Sequence, residues 1–298
     1  MIERTTKSRV VFCIFNYGLM ISFGFLCVIP LWHVLMASVS DPRLLMASSG
    51  IIFAPLGTPT LDGYGIVLSN SAIIEGYGNT LLYVAANAVI GTLLTAIAGF
   101  LVSRKNFKLA KPLTAFIMFT MIFNGGLIPT YMVIRGLGFI NTRWAIIVPA
   151  LMNAYYIIVM KSAFEQLPAA YEESAKLDGA GAVRILFQIL LPLVKPTLVV
   201  IIMFSVIGQW NSWYPASIYL PRVREKWPLQ LIMRSLLIQN DVSKLLSNSS
   251  SNANHIVNMT GNLVKYCVTI VGTLPILVAY PFAQRYFVTG ITLGGVKG

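Results

Sequence analysis

The chain has 298 residues, of which 56% are hydrophobic and only 11% are charged, and its mean hydropathy is +0.75. A soluble domain carries roughly 25% charged residues, so the composition excludes a soluble protein and indicates a membrane protein. This length accommodates several membrane spans of about 20 apolar residues each and leaves no room for a large soluble domain. The net charge of +12 does not indicate binding to nucleic acid, because many basic residues lie beside apolar runs and form no concentrated, aromatic-interleaved patch.

Six apolar runs follow one another and predict an all-α membrane protein with six transmembrane helices in a single domain. The first run is far longer than the about 7–15 residues of a signal core, so we interpret it as an uncleaved span. Small residues after it, Ala37, Ser38 and Ser40, leave a cleaved secretory signal as the alternative. The second half of the fifth run is polar but uncharged. The predicted spans are about 10–38, 80–102, 113–134, 144–163, 197–218 and 263–284.

A pair of glycines followed by a proline interrupts the third run. Gly125 and Gly126, with Pro129 after them, weaken a helix at this point. Lipid cannot satisfy the backbone groups that a broken helix frees, so a break here has to face protein or a water-filled path. Two interpretations stay open, which are a kink that lines a pathway and close packing against another helix.

Basic residues predict the orientation of the spans. An even number of spans places both termini on one side, and that side carries 13 of the 22 Lys and Arg on the shorter total loop length. The positive-inside rule makes it the cytoplasmic side. The long segments at about 39–79 and 219–262 then face outward. The second of them holds Arg222, Arg224 and Lys226, which form either a solvated loop or a face that meets something acidic.

A charged segment, residues 167–196, stands between apolar runs on the predicted cytoplasmic side. Its sequence, LPAAYEESAKLDGAGAVRILFQILLPLVKP, predicts two short helices at about 168–177 and 181–190, joined by a glycine turn. Pro192 is expected to end the second helix. Such a hairpin at a membrane surface is suited to contact another protein. Taken alone, it is also explained as an ordinary surface hairpin in which Asp178 is the N-cap of the second helix.

Residues within this segment resemble the EAA loop of bacterial ABC-importer membrane subunits, the cytoplasmic element that docks into a cleft of the ATPase. The matching residues are Glu173, Ala175, Asp178, Gly179, Ala180, Phe187, Leu191, Pro192 and Pro196. Ser174 departs from the usual Ala, which is a mild change. Three further stretches are similar to the maltose-transporter type of carbohydrate importer: FNGGLIPTY at 123–131, QWNSWY at 209–214 and QRYFVTGITLGGVKG at 284–298. The GGLIPTY and WPLQL stretches look closest to the LplC-like branch, which is assigned to oligosaccharides and often to uronic-acid oligosaccharides.

The resemblance implies a type I ABC-importer transmembrane domain in the bacterial cytoplasmic (inner) membrane, with both termini in the cytoplasm. It implies a second homologous permease subunit, two cytoplasmic ATPase subunits that hold ATP and Mg, and an extracytoplasmic solute-binding protein. The substrate is expected to be an oligosaccharide, neutral or acidic. The glycine-containing tail resembles one that ends between the ATPases, and a frayed terminus is the alternative.

The resemblance also assigns roles within the hairpin. It implies that Glu173 makes a polar contact with the ATPase, that Gly179 allows the sharp turn, and that Ala180, Ile185 and Leu186 press into the cleft. When two ATPases close on ATP, the hairpin has to move with them and to tilt the spans from inward-open to outward-open. The predicted ATPase-coupling residues are Glu172, Glu173, Asp178, Gly179, Ala180, Ile185, Leu186 and Phe187.

The sequence lacks the groups expected of an enzyme or an ion-driven carrier. It contains no G-x-x-x-x-G-K-[ST] loop to hold ATP phosphates, and His33 and His255 stand apart from any metal-ligand cluster. Ionisable groups in the spans are confined to positions near the ends, such as Lys161 and Lys265, whereas ion-coupled carriers need them inside. We therefore expect a non-enzyme, without cofactor or metal, that relies on a separate ATPase. A stand-alone carrier or channel and a membrane-embedded enzyme are the alternatives.

Uncharged polar and aromatic residues punctuate the spans, including Asn87 in the second span and Asn153, Tyr155 and Tyr156 in the fourth. Amides suit sugar hydroxyls, and aromatic rings suit the C–H faces of sugars. The alternatives are hydrogen bonds between helices and an aromatic belt at the membrane interface. The predicted candidates for the substrate path are Asn124, Gln209, Trp210, Asn211, Trp213 and Tyr214.

Overall fold

The computed structural model describes residues 7–238 and 253–295, and every regular element in this part of the chain is a helix. The all-α prediction is confirmed. The Ser- and Asn-rich run at 247–254 lies outside the described residues except for its last two positions. The helices are α1 (Lys7–Ser38), α2 (Pro42–Ala47), α3 (Asp62–Leu68), α4 (Ser71–Ala86), α5 (Thr92–Ser103), α6 (Ala110–Ile122), α7 (Leu127–Gly136), α8 (Trp144–Ala150), α9 (Ala154–Glu165), α10 (Ala170–Leu177), α11 (Ala182–Arg184), α12 (Leu191–Leu193), α13 (Lys195–Trp210), α14 (Tyr214–Tyr219), α15 (Leu229–Ile238) and α16 (Ala253–Gly295).

Short turns of other helix types connect some of these elements. A π-helical turn, Asn87–Gly91, joins α4 to α5, and a second one, Ile185–Leu190, joins α11 to α12. A 3₁₀ turn, Arg224–Lys226, precedes α15. Because α4, its π-helical turn and α5 run on without a break, they form one helical stretch from residue 71 to residue 103.

Four helical stretches in the described residues are long and apolar enough to cross a membrane: Lys7–Ser38, Ser71–Ser103, Trp144–Glu165 and Gly261–Pro281. They correspond to the first, second, fourth and sixth predicted spans. The third predicted span falls on a bent helix pair, α6 with α7. The fifth overlaps only α13, the second half of the bent pair Ala182–Leu193 and Lys195–Trp210. By length and composition the described residues therefore offer four candidate spans, or up to six if each bent pair is one span. The second stretch begins earlier than predicted, because buried polar side chains at Asn79 and Thr80 extend the packed part of α4.

The third predicted span is broken between α6 and α7, which meet at an angle of 120°. Gly126 has φ +89°, a backbone conformation that L side chains rarely adopt. The side-chain oxygen of Asn124 accepts a hydrogen bond from the Gly126 N–H at 2.9 Å and so satisfies one group that the break frees. A Cβ built on Gly125 or Gly126 would have nothing within 4 Å. These observations favour the kink and exclude close packing of the glycines within the described residues.

The fifth predicted span is shorter than expected. α13 ends at Trp210, where the Asn211 N–H and its side-chain amide both donate to the Ile207 carbonyl at 3.1 Å. α14 then begins separately with Pro215 in its first turn. At its N-terminal end, α13 meets the preceding helical segment, Ala182–Leu193, at an angle of 85°. The predicted span 197–218 is therefore not one helix in the structure, because Pro215 has no N–H with which to continue α13 and lies instead in the first turn of α14.

The described residues divide into two compact units. One comprises Met1–Asn70 and Ser235–Thr273, and in it the Cys267 thiol donates to the Ser38 carbonyl at 3.3 Å. α1 belongs to this unit, and its apolar side chains are exposed along most of its length, as a lipid-facing or partner-facing helix requires. The other unit comprises Ser71–Arg234 and Leu274–Gly298.

Two hydrophobic clusters form the core of the second unit. The Tyr83 cluster consists of Tyr83, Ile134, Ala145, Ile146, Ile147, Ala216, Tyr219, Leu220 and Leu231. The Phe100 cluster consists of Phe100, Met160, Phe164, Ala175, Ile185, Leu186, Leu190, Val194 and Ile201. Tyr83 and Phe100 lie on the same helical stretch, and 17 residues at 1.5 Å each separate them by about 25 Å. The clusters therefore lie towards opposite ends of that stretch.

Candidate functional site

The charged segment 167–196 folds into a hairpin of two helical arms. α10 is the first arm, and α11, the π-helical turn and α12 make the second. Gly179 reverses the chain with φ +76°, a conformation that glycine adopts without strain. The Ala180 N–H donates to the Ala175 carbonyl at 2.9 Å, so the turn closes the end of α10 in the manner of a glycine C-cap.

Two details of the hairpin differ from the prediction. Asp178 is the C-cap of α10, with its N–H donating to the Ser174 carbonyl at 3.1 Å, and the N-cap position of the second arm is held by Gly181. Pro192 lies inside α12 and does not end the arm. A proline is tolerated near the start of a helix because its missing N–H is not needed there. The arm ends at Val194, before the bend into α13.

Ile185 and Leu186, which were expected to press into a cleft of the ATPase, face the interior of their own chain. Their exposed fractions are 2% and 4%, and both belong to the Phe100 cluster together with Phe164 of α9. They lie at the start of the π-helical turn, whose wider winding changes which side of the arm each residue faces. This part of the predicted contact surface is corrected, because the side chains are already buried.

The two most exposed large apolar side chains of the hairpin lie near its glycine turn. Leu177 is 89% exposed, Val183 is 72% exposed and Phe187 is 39% exposed. Ala180 is partly buried against the Phe100 cluster. Exposed apolar side chains gathered at one projecting point are typical of a protein contact. Sequence reasoning missed Leu177 and Val183, although apolar residues on both sides of a glycine turn were the signal that marks them.

The two glutamates of the hairpin have different surroundings. The Glu172 carboxylate accepts from Lys176 Nζ at 2.8 Å and from the Arg104 guanidinium, which comes from the loop after α5. Burial opposes ionisation of Glu172, but hydrogen bonds from Lys176 and Arg104 outweigh it, so its pKa lies below the ordinary value. Glu173 is exposed and lines a polar groove of about 580 Å³ beside Arg104 and Lys105. Glu172 therefore binds its own chain, and Glu173 faces outward.

A polar cavity of about 180 Å³ lies between the Ser71–Ser103 stretch, the α8–α9 region and α13. The π-helical turn Asn87–Gly91 forms part of its wall, and such turns frequently occur at functional sites. Asn87 Nδ2 donates to Gln209 Oε1 at 3.4 Å across the helices. All lining side chains are uncharged. The polar ones are Asn87, Thr95, Asn153, Tyr156, Ser205 and Gln209.

Of the six substrate-path candidates, only Gln209 lines this cavity. Trp210 is 4% exposed and lines a separate apolar pocket of about 220 Å³. Asn124 caps the break before α7, and Asn211 caps the end of α13. Trp213 packs against the Tyr83 cluster and Tyr214 is half exposed, so neither reaches the cavity.

Other residues of the cavity come from the polar set noted in the spans or were missed. Asn87, Asn153 and Tyr156 belong to that set, and the fold brings them to Gln209. Thr95 and Ser205 were missed, because small hydroxyls in membrane helices commonly bond their own backbone and give no distinct signal in the sequence. Asn153 also caps α9, since its side-chain oxygen accepts from the Tyr155 N–H at 2.9 Å.

Comparisons with known proteins agree over nearly the whole length. Residues 34–293 match the family described as the inner membrane component of binding-protein-dependent transport systems. The chain is 32% identical to the polygalacturonan/rhamnogalacturonan transport system permease protein YtcP of Bacillus subtilis (strain 168), over 98% of this chain and all of that protein. It is also 32% identical to protein LplC of the same strain, over 98% of this chain and 97% of that protein.

A solved structure also resembles this chain over nearly its whole length. The fold matches a chain from the crystal structure of a bacterial ABC transporter involved in the import of the acidic polysaccharide alginate, with a TM-score of 0.84 and 26% sequence identity. The match covers 96% of this chain and 99% of that chain.

Proposed function

Because the chain belongs to the family of inner membrane components of binding-protein-dependent transport systems, we propose that it forms half of an importer's translocation pathway and couples to ATP hydrolysis through the hairpin. Family membership confirms the resemblance to ABC-importer permeases of the LplC-like branch. The chain is a transport permease subunit of the inner membrane, and ATP hydrolysis belongs to a separate ATPase. A second permease and a solute-binding protein complete the assembly that this family implies. The stand-alone carrier is therefore set aside.

The observation that carries the coupling proposal is the contrast between the tip and the base of the hairpin. Leu177 and Val183 at the tip are exposed, whereas Ile185 and Leu186 at the base are buried against α5 and α9 through Phe100 and Phe164. A partner that grips the tip would therefore move α5 and α9 with it. The Ser71–Ser103 stretch and α9 both contribute residues to the polar cavity, so this displacement would change the cavity.

The orientation of the chain in the membrane follows from the proposed contact between the hairpin and the ATPase. Contact with the ATPase requires the hairpin to be cytoplasmic, which agrees with the side that carries 13 of the 22 Lys and Arg. We therefore assign six crossings, of which α6 with α7 supplies the third and α13 supplies the fifth, and both termini in the cytoplasm. On the resemblance alone, the stretch 284–298 is assigned to the vicinity of two ATPase subunits.

The proposed substrates are oligosaccharides, including acidic ones. The relative YtcP is named for polygalacturonan and rhamnogalacturonan, and the similar solved transporter is involved in the import of the acidic polysaccharide alginate. The amide and hydroxyl groups of Asn87, Gln209 and Tyr156 suit hydrogen bonds to sugar hydroxyls. The lining of the cavity carries no charge, so the cavity by itself would recognise the sugar rings and would not distinguish acidic sugars from neutral ones.

The coupling proposal is tested in the complete complex of both permeases, ATPase and binding protein, reconstituted in proteoliposomes. Leu177→Glu places a charge at the tip, and we expect it to lower substrate-stimulated ATP hydrolysis more than tenfold, the effect of about 1.4 kcal/mol. Leu177→Met keeps an apolar side chain of similar size and serves as the matched control. Normal co-purification of the two permeases shows that insertion is intact. Wild-type stimulation by the Leu177→Glu complex would rule out the hairpin as the coupling element.

A further inference from the structure

Six basic residues lie on the two segments that supply much of the Tyr83 cluster, which within the second unit is remote from the hairpin. The segments 130–144 and 213–234 both contribute to this cluster. Their cations are Arg135, Arg143, Arg222, Arg224, Lys226 and Arg234, and their only carboxylate is Glu225. A second carboxylate, Glu75, lies near the start of α4. The patch therefore keeps a clear excess of positive charge.

The patch and the hairpin are far apart along one helical stretch. Arg143 donates to Asn79 Oδ1 at 3.1 Å, and Arg104 binds Glu172. From residue 79 to residue 104 the helical rise is about 37 Å, which exceeds the thickness of the hydrocarbon core of a bilayer. The positive-inside rule explains cations on the hairpin side of the membrane and gives no reason for a basic patch on the other side.

The basic segment is fixed in place by backbone contacts, so it is not a solvated loop. Asn79 Nδ2 donates to the carbonyls of Glu225 and Trp227 at 2.7 and 3.2 Å, and the Tyr83 hydroxyl donates to the Lys226 carbonyl at 2.8 Å. All three bonds come from side chains on α4. Because the backbone is held, the cations that it carries do not have to be ordered when a ligand binds.

Two arginines of the patch are stacked on tryptophans. The Arg224 guanidinium carbon lies 4.9 Å from the Trp227 ring centroid, and that of Arg234 lies 3.7 Å from the Trp213 ring centroid. Both tryptophans pack against the Tyr83 cluster, and both arginines are exposed. Contact with a tryptophan ring restricts the positions that each guanidinium adopts. A guanidinium edge matches the two oxygens of a carboxylate.

We propose that these two arginine–tryptophan pairs, together with Arg143 and Arg222 of the same two segments, form an entrance site that binds the carboxylate groups of an acidic oligosaccharide. The pairs are called the Arg–Trp rim below. This inference rests on the proposed function and orientation, and it adds the residues that select charged sugars over neutral ones. A uronic-acid unit presents a carboxylate and C–H faces within one ring, which a cation held beside an aromatic ring can bind together. The uncharged polar cavity offers no such selection, so recognition of charge falls to the rim.

The test uses the complete reconstituted complex and two probes, trigalacturonate and its fully methyl-esterified, neutral form. The variant carries Arg224→Gln and Arg234→Gln, and the matched control is Arg43→Gln, which removes an exposed cation from α2. We expect the double variant to lower trigalacturonate uptake about tenfold or more at low salt, with a smaller effect at high salt. Uptake of the ester and docking of the sugar-free binding protein are expected to stay at the level of the wild type.

The experiment distinguishes failure of the Arg–Trp rim as a carboxylate site from failure of the proposed substrate class. Unchanged trigalacturonate uptake, or an equal loss for both probes, would overturn the rim as a carboxylate site. Weaker docking of the sugar-free binding protein would assign the arginines to that protein's surface instead, and would overturn the rim as well. Failure of the wild-type complex to take up either probe would refute the proposed substrate class, whatever the variants do.

Discussion

The ion pair between Arg104 and Glu172 joins the hairpin to the end of α5, and removing it tests how motion passes from the hairpin to the spans. Arg104 is held in three ways. Its Nε donates to Ser103 Oγ at 3.0 Å, its guanidinium carbon lies 5.0 Å from the Phe100 ring centroid, and it donates to the Glu172 carboxylate. Glu172→Gln keeps the size of the side chain and removes the charge that both Arg104 and Lys176 bind.

The strength of this connection can be bounded from its burial. The Arg104 and Glu172 side chains are 20% and 18% exposed. Hydrogen bonds to charged groups contribute about 1.5–3 kcal/mol when buried, whereas exposed ion pairs contribute about 0.2–1 kcal/mol. A partly exposed pair falls between these ranges, at about 1–2 kcal/mol. This changes the ratio of attached to detached hairpins by a factor of about 5–30.

The assay measures sugar imported per ATP hydrolysed, in proteoliposomes that contain the complete complex. We expect Glu172→Gln and Arg104→Gln each to lower this ratio, because ATPase closure would move a hairpin that no longer carries α5 fully with it. The double variant should be no worse than either single variant, since both remove the same interaction.

A matched control is available on α9. Glu165 forms an ion pair with Lys161 at 2.8 Å within the same helix, so Glu165→Gln removes an ion pair that does not link the hairpin to α5. It should leave the import ratio unchanged. Additive losses in the double variant, or a normal ratio for Glu172→Gln, would show that the pair does not transmit motion.

Two further predictions concern the cavity and pH. Gln209→Ala removes the acceptor for Asn87 and should raise the KM of oligosaccharide uptake several-fold with normal assembly. Asn124→Ala should lower only thermal stability, because Asn124 caps a helix break. A raised KM for Asn124→Ala with an unchanged KM for Gln209→Ala would return Asn124 to the substrate path. Glu172 has a lowered pKa in the folded chain, so its ion pair stabilises the protein at neutral pH and loses this effect as the pH falls through that pKa. Glu172→Gln should therefore flatten the acid side of a thermal-unfolding profile measured in detergent, and an unaltered acid limb would contradict the assignment.

The parts of the fold that sequence predicted well depend on local properties. Four of the six predicted spans correspond to helical stretches that meet the requirements of length and hydropathy, because the thickness of a bilayer sets the number of apolar residues needed to cross it. The hairpin was likewise predictable, since Gly179 marks the turn and charged residues mark a segment outside the lipid. The break in the third span was recognised as one of two interpretations, and the backbone geometry at Gly126 decided between them.

The errors in the hairpin have a different cause. Ile185 and Leu186 have the composition of a contact surface, and nothing local indicates that a π-helical turn directs them inward. Membrane helices are apolar nearly all round, so the periodic pattern that reveals the buried face of a soluble helix is absent. Leu177 and Val183 were overlooked although they flank the glycine turn, because composition alone does not distinguish an exposed apolar side chain from a buried one.

By itself, the sequence determined that this is an all-helical membrane subunit and that a charged hairpin interrupts its apolar segments. Only the tertiary structure decided which side chains meet. Asn87 reaches Gln209 across 122 positions, and Arg104 reaches Glu172 across 68 positions. Such pairs depend on how helices rotate and bend against one another, and this depends on packing between distant segments. Local composition determines whether each segment prefers lipid or water, whereas the polar cavity, the Arg104–Glu172 ion pair and the Arg–Trp rim exist only after those segments have packed.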